Sequence, residues 1–118
     1  MGSEMCIRDR GILQDNMLFV SGQIPLNPKT GNLEMSSIEE ATHRVMLNIQ
    51  ALLESADMQM KDIVKCSIFL KDMADFSEVN EIYSSYFEGI YPARETVQVA
   101  KLPLDVSIEI SCIAVKND

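Results

Sequence analysis

An α+β fold is predicted for this chain, with one sheet and two helices on one of its faces. The order strand, helix, strand, helix, strand, strand predicts it, together with two apolar stripes at spacings of three and four and a final segment that alternates strictly. A chain of 118 residues makes one domain with a single core. The uncovered sheet face then needs a partner, which a subunit interface would supply.

The opening MGSEMCIRDR has no periodicity and no targeting pattern, and Met5 to Arg10 matches the translation of a transposon end used in sequencing-library preparation. Residues 1–10 are therefore expected to be a non-native segment ahead of a single domain over 11–118. Residues 17–23 read as a strand that stops before Pro25, a residue without a backbone donor. Asn27, Pro28, Gly31 and Asn32 are turn formers, so a surface loop follows. Ser36 or Ser37, with Glu39 or Glu40 three residues on, makes a capping box that opens a helix over 37–56. Ile38, Ala41, Val45, Ile49, Leu52, Leu53 and Ala56 form its apolar stripe. His43 falls off that stripe and reads as a solvated helix residue rather than a catalytic one.

Residues 62–71 form a second strand, with Val64, Cys66, Ile68 and Leu70 on one face. A second helix opens at the capping Asp75 and closes at Gly89, with Phe76, Val79, Ile82, Tyr83, Tyr86 and Phe87 as its core side. Two strands, 94–101 and 105–115, finish the chain. In the last, Val106, Ile108, Ile110 and Cys112 alternate with Ser107, Glu109 and Ser111.

A formal net charge of −8 argues against nucleic-acid binding, whose affinity comes from clustered Lys and Arg. The absence of any apolar run of about 18 residues argues against a membrane span, and a cytoplasmic protein is expected. Cys66 and Cys112 lie in the strand-like runs and Cys6 near the N-terminus, without CxxC or metal-ligand spacing. Reduced core thiols are expected, a reactive thiol being the alternative, and no metal site.

Arg94 begins one strand and Glu109 sits in the middle of the next, so antiparallel pairing of the two would bring them to the same face. Arginine's planar fork fits a carboxylate, and a nearby glutamate could hold and polarise a water. Pattern alone favours an ordinary strand-edge ion pair between them.

Three motifs, SGQIPLNPKTG, FLKDMADFSEVNEIYSSYF and PARETVQVAKLPLDVSIEI, together resemble the RidA/YjgF family of enamine and imine deaminases. The resemblance implies a chorismate-mutase-like (YjgF-type) fold, a mixed sheet with two helices on one face, and a barrel-like homotrimer with sites in the clefts between subunits. It implies hydrolysis of small imine or enamine carboxylates, 2-aminoacrylate and 2-iminobutanoate, to 2-oxo acids and ammonia, with no cofactor. By motif, Arg94 would grip the substrate carboxylate and Glu109 would orient or activate water. The backbone near Thr96 would contact the imine, and Ser21 and Gly22 would line the cleft. Burial raises a carboxyl pKa and a neighbouring arginine lowers it, so the sequence leaves the protonation of Glu109 open.

The chain departs from the family at three places. The pocket tyrosine of a Gly-Pro-Tyr-Ser-Gln-like stretch falls on Arg8, which puts activity of this chain in doubt. Glu95 replaces a small residue, although alternation sends it to the face opposite Arg94. Asp57 replaces a glycine after the first helix, which touches stability alone. Competing readings are a trimeric 2-oxo acid sensor or holdase, an endoribonuclease, and a deaminase of other substrates such as aminomuconate.

Overall fold

The computed structural model describes residues 11–117, so the readings made for residues 1–10, Arg8 among them, lie outside the described residues. The elements are β1 (Gly11–Gln14), β2 (Met17–Gln23), α1 (Ile38–Ser55), β3 (Ile63–Leu70), α2 (Phe76–Ser84), β4 (Ala93–Gln98) and β5 (Ile108–Val115). They form a mixed α+β fold with one five-stranded sheet of order β1-β2-β5-β3-β4. All neighbours are antiparallel except β3 and β4, which run parallel.

One sheet face carries Leu18, Val20, Cys66, Ile68, Leu70, Ile108, Ile110, Cys112 and Ala114, all buried. Against it pack Ala41, Val45, Ile49, Leu52 and Leu53 of α1 and Val79 and Tyr83 of α2. Each large side chain fully buried here contributes about 1.5–3 kcal/mol. Phe19, Val64 and Val97 are exposed. Phe19 and Val97 lie in register with residues of the opposite face, which no helix covers.

α1 begins as its capping pattern requires. The Ser37 hydroxyl accepts the Glu40 backbone N–H at 3.0 Å, and the Glu40 carboxylate takes the Ser36 backbone N–H at 2.8 Å. Past its end Asp57 adopts the left-handed φ of 59°, and its carboxylate accepts from Lys116 Nζ at 2.7 Å. That hydrogen bond and charge hold the Asp57 carboxyl below its usual range.

Four expectations need correction. Periodicity does not predict β1, because GILQ is too short to show it and its two-residue hairpin turn, Asp15-Asn16, lacks glycine. Asp15 takes the left-handed φ of 56° itself, which a short polar side chain tolerates. The second helix stops at Ser84 rather than Gly89. Three-residue backbone bonds, Tyr86 N–H to Tyr83 and Phe87 N–H to Ser84, tighten the chain there and turn Phe87 into the core. His43 is half-buried rather than solvated, sharing a 2.7 Å hydrogen bond between Nδ1 and the Tyr86 hydroxyl.

The two final strands are not neighbours. The connection from β3 to β4 contains α2, which is long enough for a crossover to lay β4 parallel to β3 at the sheet edge. β5 returns between β2 and β3, where its alternating apolar residues are buried.

Buried Asn48 of α1 fixes the chain leaving β2. Its amide donates to the carbonyls of Ile24 at 3.2 Å and Leu26 at 2.9 Å. Asn48→Ala leaves both carbonyls without that donor, and urea unfolding should show a loss of about 1–3 kcal/mol.

Candidate functional site

β4 is an edge strand, so part of its backbone faces away from β3, and Arg94 is exposed at its start. Arg94 pairs with Cys66 and Thr96 with Ile68, which sends both side chains to the helix face. The Arg94 guanidinium carbon lies 5.5 Å from the Phe76 ring centroid and 5.6 Å from that of Tyr83. Both are cation–π distances. Its Nη1 donates to Oδ1 of Asn80. Burial pushes the Tyr83 hydroxyl far above the usual phenol range. Thr96 Oγ1 is buried with no hydrogen-bond partner among the described residues.

Glu109 belongs to a second group. It pairs with Phe69, whose other neighbour is Val97, and so points to the uncovered face. Its carboxylate lies against Gly22, where a Cβ would fall 1.7 Å from Oε2. A side chain at position 22 would require the Glu109 carboxylate to move. The ladder between β2 and β5 is irregular between Val20 and Gln23, which places Ser21 and Gly22 in a bulge beside this carboxylate. Burial holds the Glu109 carboxyl above its usual range.

The structure thus brings Gly22 to Glu109 and aligns Arg94 with Thr96, but it does not bring Arg94 to Glu109. They lie on opposite faces, two strands apart and three residues offset, roughly 10 Å in each direction. The strand-edge ion pair that pattern favours is absent, because β3 separates the strands. Glu95, by contrast, lies on the face opposite Arg94 as alternation predicts. Its carboxylate accepts from Ser67 Oγ at 2.6 Å and stands 3.5 Å from Lys65 Nζ. Ser67 first and Lys65 second hold its carboxyl below the usual range.

Sequence reasoning missed the seat of Arg94, assigning Phe76 and Tyr83 to the core alone and Asn80 to nothing. The available signal was spacing, since Asn80 stands four residues after Phe76 and three before Tyr83 on one helical face. A depression of about 690 Å³ between the end of α1 and residues 86–90 contains none of the candidate residues. Cys66 and Cys112 are buried and unbridged, directly opposite one another.

A family model described as Endoribonuclease L-PSP matches residues 9–116. The chain belongs to the YjgF/RidA family. A RutC family protein of Pyrococcus horikoshii is 46% identical over 108 residues, covering 92% of this chain and 86% of that protein. The 2-iminobutanoate/2-iminopropanoate deaminase of Escherichia coli is 43% identical over 111 residues, with the same two coverages of 92% and 86%. The crystal structure of the E. coli YjgF gene product superposes with a TM-score of 0.87 at 41% identity, over 92% of this chain and 87% of that one. E. coli TdcF with bound serine gives 0.87 at 37% identity and the same coverages, 92% and 87%. In this YjgF/RidA chain the arginine, threonine, glutamate and glycine of the motifs therefore form two separate groups on one sheet.

The raised Glu109 pKa carries a stability consequence. Folding disfavours its charged form, so stability falls as pH rises from the unfolded value of about 4.3 through the higher folded value. Glu109→Gln should melt above wild type at neutral pH, and the gain should vanish below about pH 4. Melting curves across that range check it, and an unchanged difference at all pH values would contradict it.

Proposed function

We propose that this chain hydrolyses 2-aminoacrylate and 2-iminobutanoate to 2-oxo acids and ammonia as a homotrimer, with Arg94 of one protomer meeting Glu109 and Gly22 of its neighbour. The observation that carries this reading is the division just described. An exposed guanidinium and a half-buried carboxyl sit on opposite faces of one sheet, and in this reading each is half a site. A second copy against the uncovered face would join them and cover Phe19 and Val97, which are 41% and 43% exposed. The E. coli relative named as a 2-iminobutanoate deaminase and the TdcF structure with bound serine, an amino-acid carboxylate, support the substrate class.

In this reading Arg94 takes the substrate carboxylate in its fork, and edge-strand backbone near Thr96 meets the imine nitrogen. Ser21 and Gly22 shape the wall beside Glu109. Glu109 removes a proton from water as the oxygen bonds to the carbon of the protonated imine, which gives a neutral carbinolamine and the glutamic acid. The acid then protonates the carbinolamine nitrogen, and as the C–N bond breaks the hydroxyl proton passes to the Glu109 carboxylate and the C=O bond forms, that proton finally leaving with ammonia as ammonium. An enamine first gains a proton at C3 to become the protonated imine. Fixing the carboxylate turns hydration into a positioned reaction, and a carboxyl titrating above its usual range accepts a proton more readily.

The test couples threonine dehydratase and threonine to the protein and follows imine decay. Wild type should accelerate it. Arg94→Ala should lower kcat/KM about a hundredfold, as expected for losing one member of a desolvated charge pair. Glu109→Gln should lower kcat by about 10²–10⁴. Equal acceleration by wild type and Arg94→Ala would refute the arginine's role, and binding without acceleration would favour the sensor reading. Sedimentation should return a mass three times the 13.2 kDa of one chain, and a monomer would leave the two half-sites unjoined.

A further inference from the structure

We infer that Asn80 is a positioning residue for Arg94, and that its neutrality rather than its size keeps the guanidinium open to a carboxylate; this rests on the clamp reading proposed above. The guanidinium carries five N–H donors in one plane. Asn80 Oδ1 accepts from Nη1, while Phe76 and Tyr83 pack ring surface against the head at 5.5 and 5.6 Å. All three belong to one face of α2, so a single rigid element fixes the fork's direction.

The Asn80 acceptor is uncharged, and none of the ion pairs among the described residues includes Arg94. Arg94 therefore keeps its full charge while losing its freedom to rotate. An aspartate at position 80 has nearly the same shape and would hold the fork as firmly, but it would stand as an internal carboxylate competing with the ligand's own. An alanine would free the fork without competing. The two substitutions thus separate charge from support, which a merely structural role for Asn80 could not do.

The experiment compares Asn80→Asp, Asn80→Ala and Asn80→Ser with wild type and Arg94→Ala. It measures the Kd for 2-oxobutanoate by calorimetry, kcat and KM for imine decay, and melting temperature. Asn80→Asp should raise Kd and KM about tenfold with kcat little changed and a melting temperature at or above that of wild type. Asn80→Ala and Asn80→Ser should each raise KM by less. Wild-type binding by Asn80→Asp would overturn the inference, as would Asn80→Ala or Asn80→Ser being as damaging as Asn80→Asp. If Arg94→Ala itself binds like wild type, the clamp reading fails and this inference with it. If Arg94→Ala loses binding and Asn80→Asp does not, this inference alone falls.

Discussion

Cys66 lies opposite Arg94 on β4 and opposite Cys112 on β5, and this register in the middle of the sheet governs which groups can meet. It commits Cys66, Ile68 and Leu70 to the helices and, with them, Arg94, Thr96 and Gln98 across the parallel ladder. It equally commits Ser67 and Phe69, and therefore Ser111 and Glu109, to the other face. A slip of one residue would exchange the two sets and bury Glu95 against Tyr83. The arginine reaches the helix side without entering the core because it sits at the first turn of an edge strand, where α2 offers it two rings and an amide.

The two groups solve opposite electrostatic problems. A guanidinium is weakly hydrated and planar, so aromatic faces can replace part of its water at small cost; a lysine's compact ammonium would lose more and find no fork-shaped partner. Glu109 is instead a carboxyl pressed against backbone. The missing side chain of Gly22 lets Oε2 approach closely, and the same closeness excludes water and raises its pKa. Gly22 is therefore tied to Glu109 by space rather than by backbone freedom, and the bulge between Val20 and Gln23 brings the two together.

Local sequence made α1, β2, β3 and β5 legible, because each carries its own period and its own stop signal. Ser37 with Glu40 and the alternation around Ile108 and Ile110 needed nothing from the rest of the chain. What local pattern does not encode is adjacency. Nothing in residues 93–98 says that their neighbour is β3 rather than β5, and that one choice moved Arg94 and Glu109 from a shared face to opposite faces. The glycine beside Glu109 was legible through its motif. Asn80 was not, since an asparagine on a helix gains meaning only once the fold brings the Arg94 guanidinium beside it.

Glu95 tests whether the uncovered face can accept a second copy. It is acidic, it lies on that face, and its row is two residues from that of Glu109. An unpaired carboxylate there would resist burial under another protein surface. The Ser67 hydroxyl and the Lys65 ammonium already engage both of its oxygens within the chain, and together they keep it ionised. A covering surface would meet a short polar chain that is satisfied and close to neutral, next to Phe69 and Val97. Covering it costs some desolvation but orphans no group. The substitution therefore leaves the face able to pair while keeping a second negative charge away from the Arg94 fork on the far side of the sheet.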